Sequence, residues 1–200
     1  MPQTSLNKSS LKKERDQLDL YRQYLPSLDL KRQQFLGLAK AAEKQLRQIE
    51  TAAAQKVKEA DPWLPFLANR QIELKGLVQV DDLQIQRENQ LGLTLPYLRD
   101  LSFKPREYSF FHKPLWVDGL VQLLQEVCRL ALERELAAKR LALLRAELQT
   151  ITQRVNLFDK VLIPSARNTI REIGIALSDM ETAGVVRAKI AKKKRLQRGV

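Results

Sequence analysis

The stretch AAKRLALLRAELQTITQRV, residues 137–155, decides the fold. Within it, apolar side chains recur in alternating steps of four and three residues, at Ala137, Leu141, Leu144, Leu148, Ile151 and Val155. A repeat of 3.5 residues lays one apolar stripe along a helix and predicts a left-handed supercoil with a partner helix. The stretch holds no glycine or proline and consists mainly of strong helix formers. We therefore expect a long coiled-coil helix.

The same repeat extends in both directions along the chain. Upstream it runs through Leu120, Leu123, Val127, Leu130 and Arg134, the one break in the apolar seam, and downstream through Phe158 and Leu162. Two successive four-residue steps then follow, and the seam continues as Ala166, Ile170, Ile173, Leu177, Met180 and Gly184. This change of spacing is a stutter at Pro164, where we expect the coil to unwind locally.

A second seam occupies the N-terminal part of the chain and is apolar at most of its positions. Its members are Leu11, Glu14, Leu18, Tyr21, Leu25, Leu28, Arg32, Phe35, Ala39, Ala42, Leu46, Ile49, Ala53, Lys56 and Ala60. Pro26 lacks a backbone donor and predicts a kink in residues 22–26. The pair Asp61-Pro62 should end the helix, because a residue before proline disfavours the α conformation.

Two helical arms around an insert define the predicted fold class: mainly α, an antiparallel two-helix left-handed coiled coil. The expected divisions are an N-terminal helix over 5–60, an insert over 61–114 and a C-terminal helix over 115–198. The 54-residue insert is long enough to reverse the chain, and each arm offers a single stripe that the other can cover. A parallel homodimer is the competing arrangement, and periodicity alone leaves both open.

The insert predicts a β-hairpin over about residues 71–95. Apolar residues alternate from Ile72 to Val80, and alternation resumes at Leu83 and Ile85, so we place the turn at Asp81-Asp82. A solvated turn is the favoured interpretation of these two carboxylates, with a cation site as the alternative. The aromatic segment 103–111 is expected to pack on the hairpin or to form a partner surface.

Charge is concentrated at one end of the chain. The formal net charge of +12 divides into +5, zero and +7 over residues 1–60, 61–114 and 115–200. The C-terminal segment contains seven basic residues and no acidic one: Arg187, Lys189, Lys192, Lys193, Lys194, Arg195 and Arg198. Three interpretations remain open from composition: a solvated helix end, a contact with nucleic acid or an anionic membrane, and a contact inside a protein cavity.

Residue patterns that would support catalysis are missing. The sequence contains no glycine-rich phosphate loop and no cluster of Cys and His that would bind zinc. His112 is interpreted as structural, and Cys128, beside the seam, as an inert helical thiol fitting a reducing compartment. No window is apolar enough to cross a membrane, and no secretory signal is visible. We expect a cytoplasmic, non-catalytic chain without cofactor or metal.

Three segments resemble the D subunit of the V-type ATPases, the archaeal and bacterial V/A type. Residues 152–158 (TQRVNLF), 161–164 (VLIP) and 168–170 (NTI) are similar to that family's C-terminal signature. Residues 28–36 (LDLKRQQFL) and 89–96 (NQLGLTLP) resemble its N-terminal and middle elements. The signature positions are Arg154, Val155, Asn156, Ile163, Pro164, Thr169 and Ile170.

This resemblance implies a rotor shaft with its terminal end inside a hexameric head of catalytic A and regulatory B subunits. The F subunit and the funnel-shaped C/d subunit would bind lower down, above the membrane ring. Nucleotide and metal would then be held by other subunits, and the complex would lie on the cytoplasmic side of the membrane and move protons or sodium ions. The rival hypothesis is a basic coiled-coil adaptor that binds nucleic acid or an anionic membrane through its tail.

Overall fold

Helices dominate the structure, a computed structural model that describes residues 5–63, 65, 78–104 and 116–198. Its main elements in chain order are α1 (Lys8–Glu59), β1 (Val80–Gln90), β2 (Leu93–Phe103), α2 (Trp116–Leu157) and α3 (Ile163–Arg198). A short 3-10 helix (Asp61–Trp63) follows α1, and a π-helical turn (Phe158–Leu162) joins α2 to α3. The predicted mainly α fold with a β-hairpin insert is confirmed.

The chain divides into two compact units. Unit 1 comprises Met1–Gln33 and Gln149–Val200, and unit 2 comprises Gln34–Leu148. Unit 1 therefore holds the start of α1, the π-helical turn and α3. Unit 2 holds the rest of α1, the hairpin and most of α2.

The helices of unit 1 are paired antiparallel. Lys8 at the start of α1 forms an ion pair of 3.3 Å with Glu181, whereas Tyr21 packs edge to face on Phe158 with ring centroids 5.5 Å apart. Moving forward along α1 thus means moving backward along its partner. Leu18, Ile163 and Ala166 form a buried cluster between them.

Unit 2 shows the same antiparallel order. Three ion pairs join α1 to α2 in opposite chain directions: Glu43–Arg145 at 3.5 Å, Glu50–Arg134 at 3.2 Å and Lys56–Glu126 at 2.9 Å. Phe35, Ala39, Leu141 and Leu144 are buried in this unit. Each unit is therefore an antiparallel pair of helices from one chain, the first of the two arrangements that the sequence left open.

Burial follows the 3-4 spacing of both arms. Every N-terminal seam position from Leu11 to Ala60 is buried or half-buried. On the C-terminal arm the same holds from Leu120 to Leu177, except at Arg134. The continuation to Met180 and Gly184 is wrong, since both are exposed. The seam stops there because α1 begins at Lys8, which already lies opposite Glu181.

The ends of α1 follow from local chemistry. At its start, the side-chain oxygen of Asn7 accepts a hydrogen bond from the amide of Ser10 at 2.7 Å, which is the arrangement of an N-cap. At its end, the helix stops at Glu59, ahead of Asp61-Pro62 as predicted. Pro26 lies inside the helix without ending it, and the expected bend there stays a prediction.

The hairpin turn lies elsewhere than predicted. Asp81 and Asp82 belong to β1, and the chain reverses at Leu91-Gly92. Both turn residues have positive φ, 54° and 89°, as a two-residue type I′ hairpin requires. The side chain of Asn89 accepts the Gly92 amide at 2.9 Å and holds the turn closed. The proposed strand at 72–77 lies outside the described residues.

The π-helical turn occurs at the predicted site of unwinding. The amide of Ile163 donates to the carbonyl of Phe158, five residues back, immediately before Pro164. A π turn accommodates one extra residue, and Pro164 cannot donate the next α-helical hydrogen bond. The two features together explain why the seam spacing changes at this point.

Replacing Ile173 by Ala should lower the free energy of unfolding by about 2–5 kcal/mol, because the side chain is fully buried in unit 1. Ile175→Ala on the same helix is the matched control, since Ile175 is 57% exposed, and should change stability by less than about 0.5 kcal/mol. Urea denaturation followed by circular dichroism measures both. Equal losses would show that α3 does not bury the Ile173 face.

Replacing Gly92 by Ala should destabilise unit 2 by about 1 kcal/mol, because φ of 89° strains any residue with a Cβ atom. The control is Gly37→Ala. Gly37 is an exposed helical glycine with open space around it, and alanine there should stabilise by about 1 kcal/mol. Thermal unfolding of the two variants should therefore shift in opposite directions, and a shift in the same direction would contradict the turn assignment.

Candidate functional site

The basic C-terminal segment is an exposed single helix. Residues 184–197 are all exposed, and α3 remains helical to Arg198. The six basic side chains expected at the tip, Arg187, Lys189, Lys192, Lys193, Lys194 and Arg195, all face solvent. From Glu181, opposite the start of α1, the helix continues for about 25 Å at 1.5 Å per residue.

Apolar side chains lie among these cations, a feature that the sequence analysis did not identify. Val185, Val186, Ile190 and Leu196 are between 49% and 69% exposed. Their signal was present in the sequence, but the charge run obscured it. A surface that presents both cations and large apolar groups suits a protein partner better than a phosphate backbone, which offers nothing apolar to the Val, Ile and Leu side chains.

The signature positions are divided between the seam and the surface. Val155 and Ile163 are buried, and Asn156, Thr169 and Ile170 are half-buried, whereas Arg154 and Pro164 are exposed. They surround the π-helical turn and the Tyr21–Phe158 contact in unit 1. The segment therefore contributes buried side chains to the helix pair, whereas Arg154 and Pro164 lie on the surface.

The eight seam residues singled out from the sequence all lie in the helix pairs. Phe35, Leu141, Leu144 and Ile151 are at most 6% exposed. Leu28, Leu46, Ile49 and Leu148 are half-buried. The 89–96 segment forms the hairpin turn and the start of β2, where Leu95 is 1% exposed.

The surface ion pairs of unit 2 shift three pKa values, one of which is the pKa of Glu135, lowered by the hydrogen bond and charge of Lys139. A hydrogen bond to Glu126, helped by Glu59, raises the pKa of Lys56 to about 12. The Arg47 guanidinium, followed by that of Arg145, lowers the pKa of the Glu43 carboxyl. The Lys56 contribution to stability is thus complete below the ordinary lysine pKa and is lost as pH rises through about 12. That of Glu43 is present above its unfolded pKa and is lost as pH falls below it.

Within the part of the chain that the structure describes, the remaining candidate carboxylates and the cysteine do not come together in one site. Asp81 pairs with Lys104 at 3.7 Å and Asp82 accepts from Gln84 at 2.8 Å, both on exposed strand β1. Within residues 5–63, 65, 78–104 and 116–198, no group of three or more His, Cys, Asp or Glu could hold a metal ion. Cys128 is a half-buried free thiol. His112 and residues 105–111 of the aromatic segment lie outside the described range.

None of the described helices is long and apolar enough to cross a membrane. The fold and its surfaces define a class: a coiled-coil protein with antiparallel helix pairs, a hairpin insert and an exposed basic helical end.

Comparison with known proteins identifies the family within that class. A family model described as the D subunit of ATP synthase matches residues 10–193. The V-type ATP synthase D subunit of Borreliella burgdorferi is 33% identical over 193 residues, covering 96% of this chain and 95% of the relative. That of Chlamydia muridarum is 32% identical over 197 residues, 96% of each. That of Chlamydia caviae is 29% identical and covers 98% of this chain and 95% of the relative.

The chain therefore belongs to the family of ATP synthase D subunits. It is a stalk subunit of a V-type ATPase complex, and the resemblance seen in three short segments extends along nearly the whole sequence.

Glu126→Gln should lower the pKa of Lys56 from about 12 towards the ordinary 10.5, because the largest cause of its elevation is removed. The matched control is Glu133→Gln, a carboxylate on the same helix that forms no ion pair with Lys56. NMR titration of the lysine Cε and Nζ resonances measures the shift. An unchanged pKa in E126Q would show that the Lys56–Glu126 pair does not form in solution.

Proposed function

We propose that this chain is the rotor shaft of a prokaryotic V/A-type ATPase, a non-catalytic part that couples ATP turnover in the head to rotation of the membrane ring. The observation that carries this proposal is the family match over residues 10–193. The proposal extends to the catalytic A and regulatory B subunits, the F subunit and the C/d subunit as partners, and to a place on the cytoplasmic side of the membrane.

The antiparallel helix pairs suit such a mechanical role. A single helix bends easily, whereas two helices packed along an apolar seam must bend together and therefore resist bending more. In unit 2 the seam is flanked by ion pairs between α1 and α2, such as Glu50–Arg134, which resist sliding of one helix along the other. These contacts support a role in transmitting torque, with proton or sodium transport as the driven step.

The exposed end of α3 supports an assignment as the tip that contacts the head. Its cations stabilise the helix C-terminus by favourable interaction with the helix dipole. Its exposed Val185, Val186, Ile190 and Leu196 would lose their contact with water if this end entered a protein cavity. We assign the tip to such a cavity, with Arg187, Lys189, Lys192, Lys193, Lys194 and Arg195 as its basic contact residues.

Replacing Lys192, Lys193, Lys194 and Arg195 by Gln should weaken assembly of the chain with purified A and B subunits about tenfold, or lower ion transport per ATP hydrolysed. The control carries the same charge change at the exposed residues Lys40, Lys44, Lys58 and Arg87 of unit 2. Titration of tagged chain into the head, followed by gel filtration, gives the affinity.

Three results separate the hypotheses. Weaker assembly of the tip variant, with normal assembly of the control variant, supports the rotor-shaft proposal. Unchanged assembly and coupling return the tail to a solvated helix end. Recovery of nucleic acid with the isolated chain, steeply dependent on salt, favours the basic adaptor instead.

A further inference from the structure

A polar pocket lies inside unit 2, where side chains of α1, β2 and α2 meet. Its volume is about 230 Å³, and its lining includes Gln45, Tyr97, Leu98, Leu136 and Arg140. All of these belong to one unit, so the pocket is defined without reference to unit 1. None of the basic tip residues and none of the signature positions lines it.

Arg140 is the unusual member of this lining. It is only 7% exposed and is the one buried charged residue in the described part of the chain. Its guanidinium carbon lies 4.3 Å from the centroid of the Tyr97 ring, a cation–π contact. The Tyr97 hydroxyl accepts a hydrogen bond from Gln90 at 2.8 Å, which fixes the ring on the hairpin.

The donors of Arg140 lack acceptors. Among the residues that the structure describes, none accepts a hydrogen bond from its guanidinium, and no carboxylate oxygen lies within 4.0 Å of it. Glu133 lines the same pocket and stays beyond that distance. No fully buried side-chain nitrogen in this part of the chain is without a partner, so the free donors of Arg140, which lines the pocket, must retain some access to solvent. A cation–π contact replaces only part of the hydration that a buried guanidinium loses.

We propose that this pocket receives an aspartate or glutamate side chain from another subunit of the ATPase complex. The inference rests on the proposed function and names a partner contact that the function alone does not supply. A guanidinium presents paired N–H donors that match the two oxygens of a carboxylate, and a partly apolar site strengthens the attraction by excluding water.

A protein carboxylate fits better than a free anion because the hairpin that contributes to the pocket also exposes apolar side chains. Leu98 lines it, and Ile85, its partner across the two strands, is 47% exposed. Leu83, two residues along β1, is 40% exposed. Ile85 and Leu83 do not line the pocket themselves, but they give the hairpin an exposed apolar surface. A buried arginine together with apolar contacts is the composition of an interface hot spot, in which apolar contacts shield a central polar pair.

The test measures binding of the full chain to each purified A, B, F-type and C/d-type subunit of the same ATPase, one at a time. Arg140→Gln should weaken one of these interactions at least tenfold, and Arg140→Lys should restore it only in part. Arg134→Gln is the matched control, because it removes an equal charge from the same helix at an exposed position that pairs with Glu50. Its effect should stay below threefold.

Arg140→Met separates binding from folding. A buried arginine without an anionic partner destabilises the free chain, so the melting temperature of R140M alone should stay equal or rise while its partner affinity falls. A lower melting temperature with a matching loss of affinity would make Arg140 a structural residue and overturn the proposal.

The remaining outcomes are equally decisive. If the wild-type chain binds a partner subunit and R140Q binds it with the same affinity, the pocket proposal is wrong and the proposed rotor-shaft function is unaffected. Failure of the wild-type chain to bind any of the four partners removes both. Saturable binding of inorganic phosphate to the isolated chain, lost in R140Q, would assign the pocket to a free anion and overturn the subunit contact.

Discussion

Mutual burial of two narrow apolar stripes is the constraint on which the rest of the structure depends. Neither stripe can cover itself, and each helix presents only one of them along most of its length. In unit 1 the stripe of α1 is covered by residues such as Ile163 and Ala166, and in unit 2 by Leu141 and Leu144. Because the pairing is antiparallel within one chain, the insert must lie where the first helix ends and the second begins. The unpaired part of α3 must then come at the C-terminal end of the sequence, after the segment that pairs with the start of α1.

Strict periodicity explains why so much of the helical structure could be predicted. Positions three and four residues apart share one helix face whatever the identity of the neighbours, so burial at Ile151 or Ile173 follows from spacing alone. Spacing does not say where the partner stops. The seam continues in the sequence to Gly184, yet burial ends near Leu177 because α1 begins at Lys8.

The spacing of apolar residues could not predict the hairpin turn or the Arg140 pocket, for separate reasons. Leucine seldom adopts positive φ, so Leu91-Gly92 is a weaker turn signal in the sequence than Asp81-Asp82. The hydrogen bond from the Gly92 amide to the Asn89 side chain, which holds the turn closed, is visible only in the structure. Leu136 and Arg140 form a second line beside the main seam, also four residues apart, which contacts the hairpin. A search for one stripe per helix assigns such positions to solvent.

The mixture of cations and apolar groups at the end of α3 also has a consequence for the chain before it is assembled. Val185, Val186, Ile190 and Leu196 would make a helix prone to self-association if they stood alone. Each is within four residues of a lysine or arginine, and the segment carries no acid that could neutralise a second copy. Like charge therefore keeps newly made chains apart, in the manner of gatekeeper residues flanking an aggregation-prone segment. The basic side chains thus counteract the tendency of the exposed apolar ones to associate with a second copy of the helix.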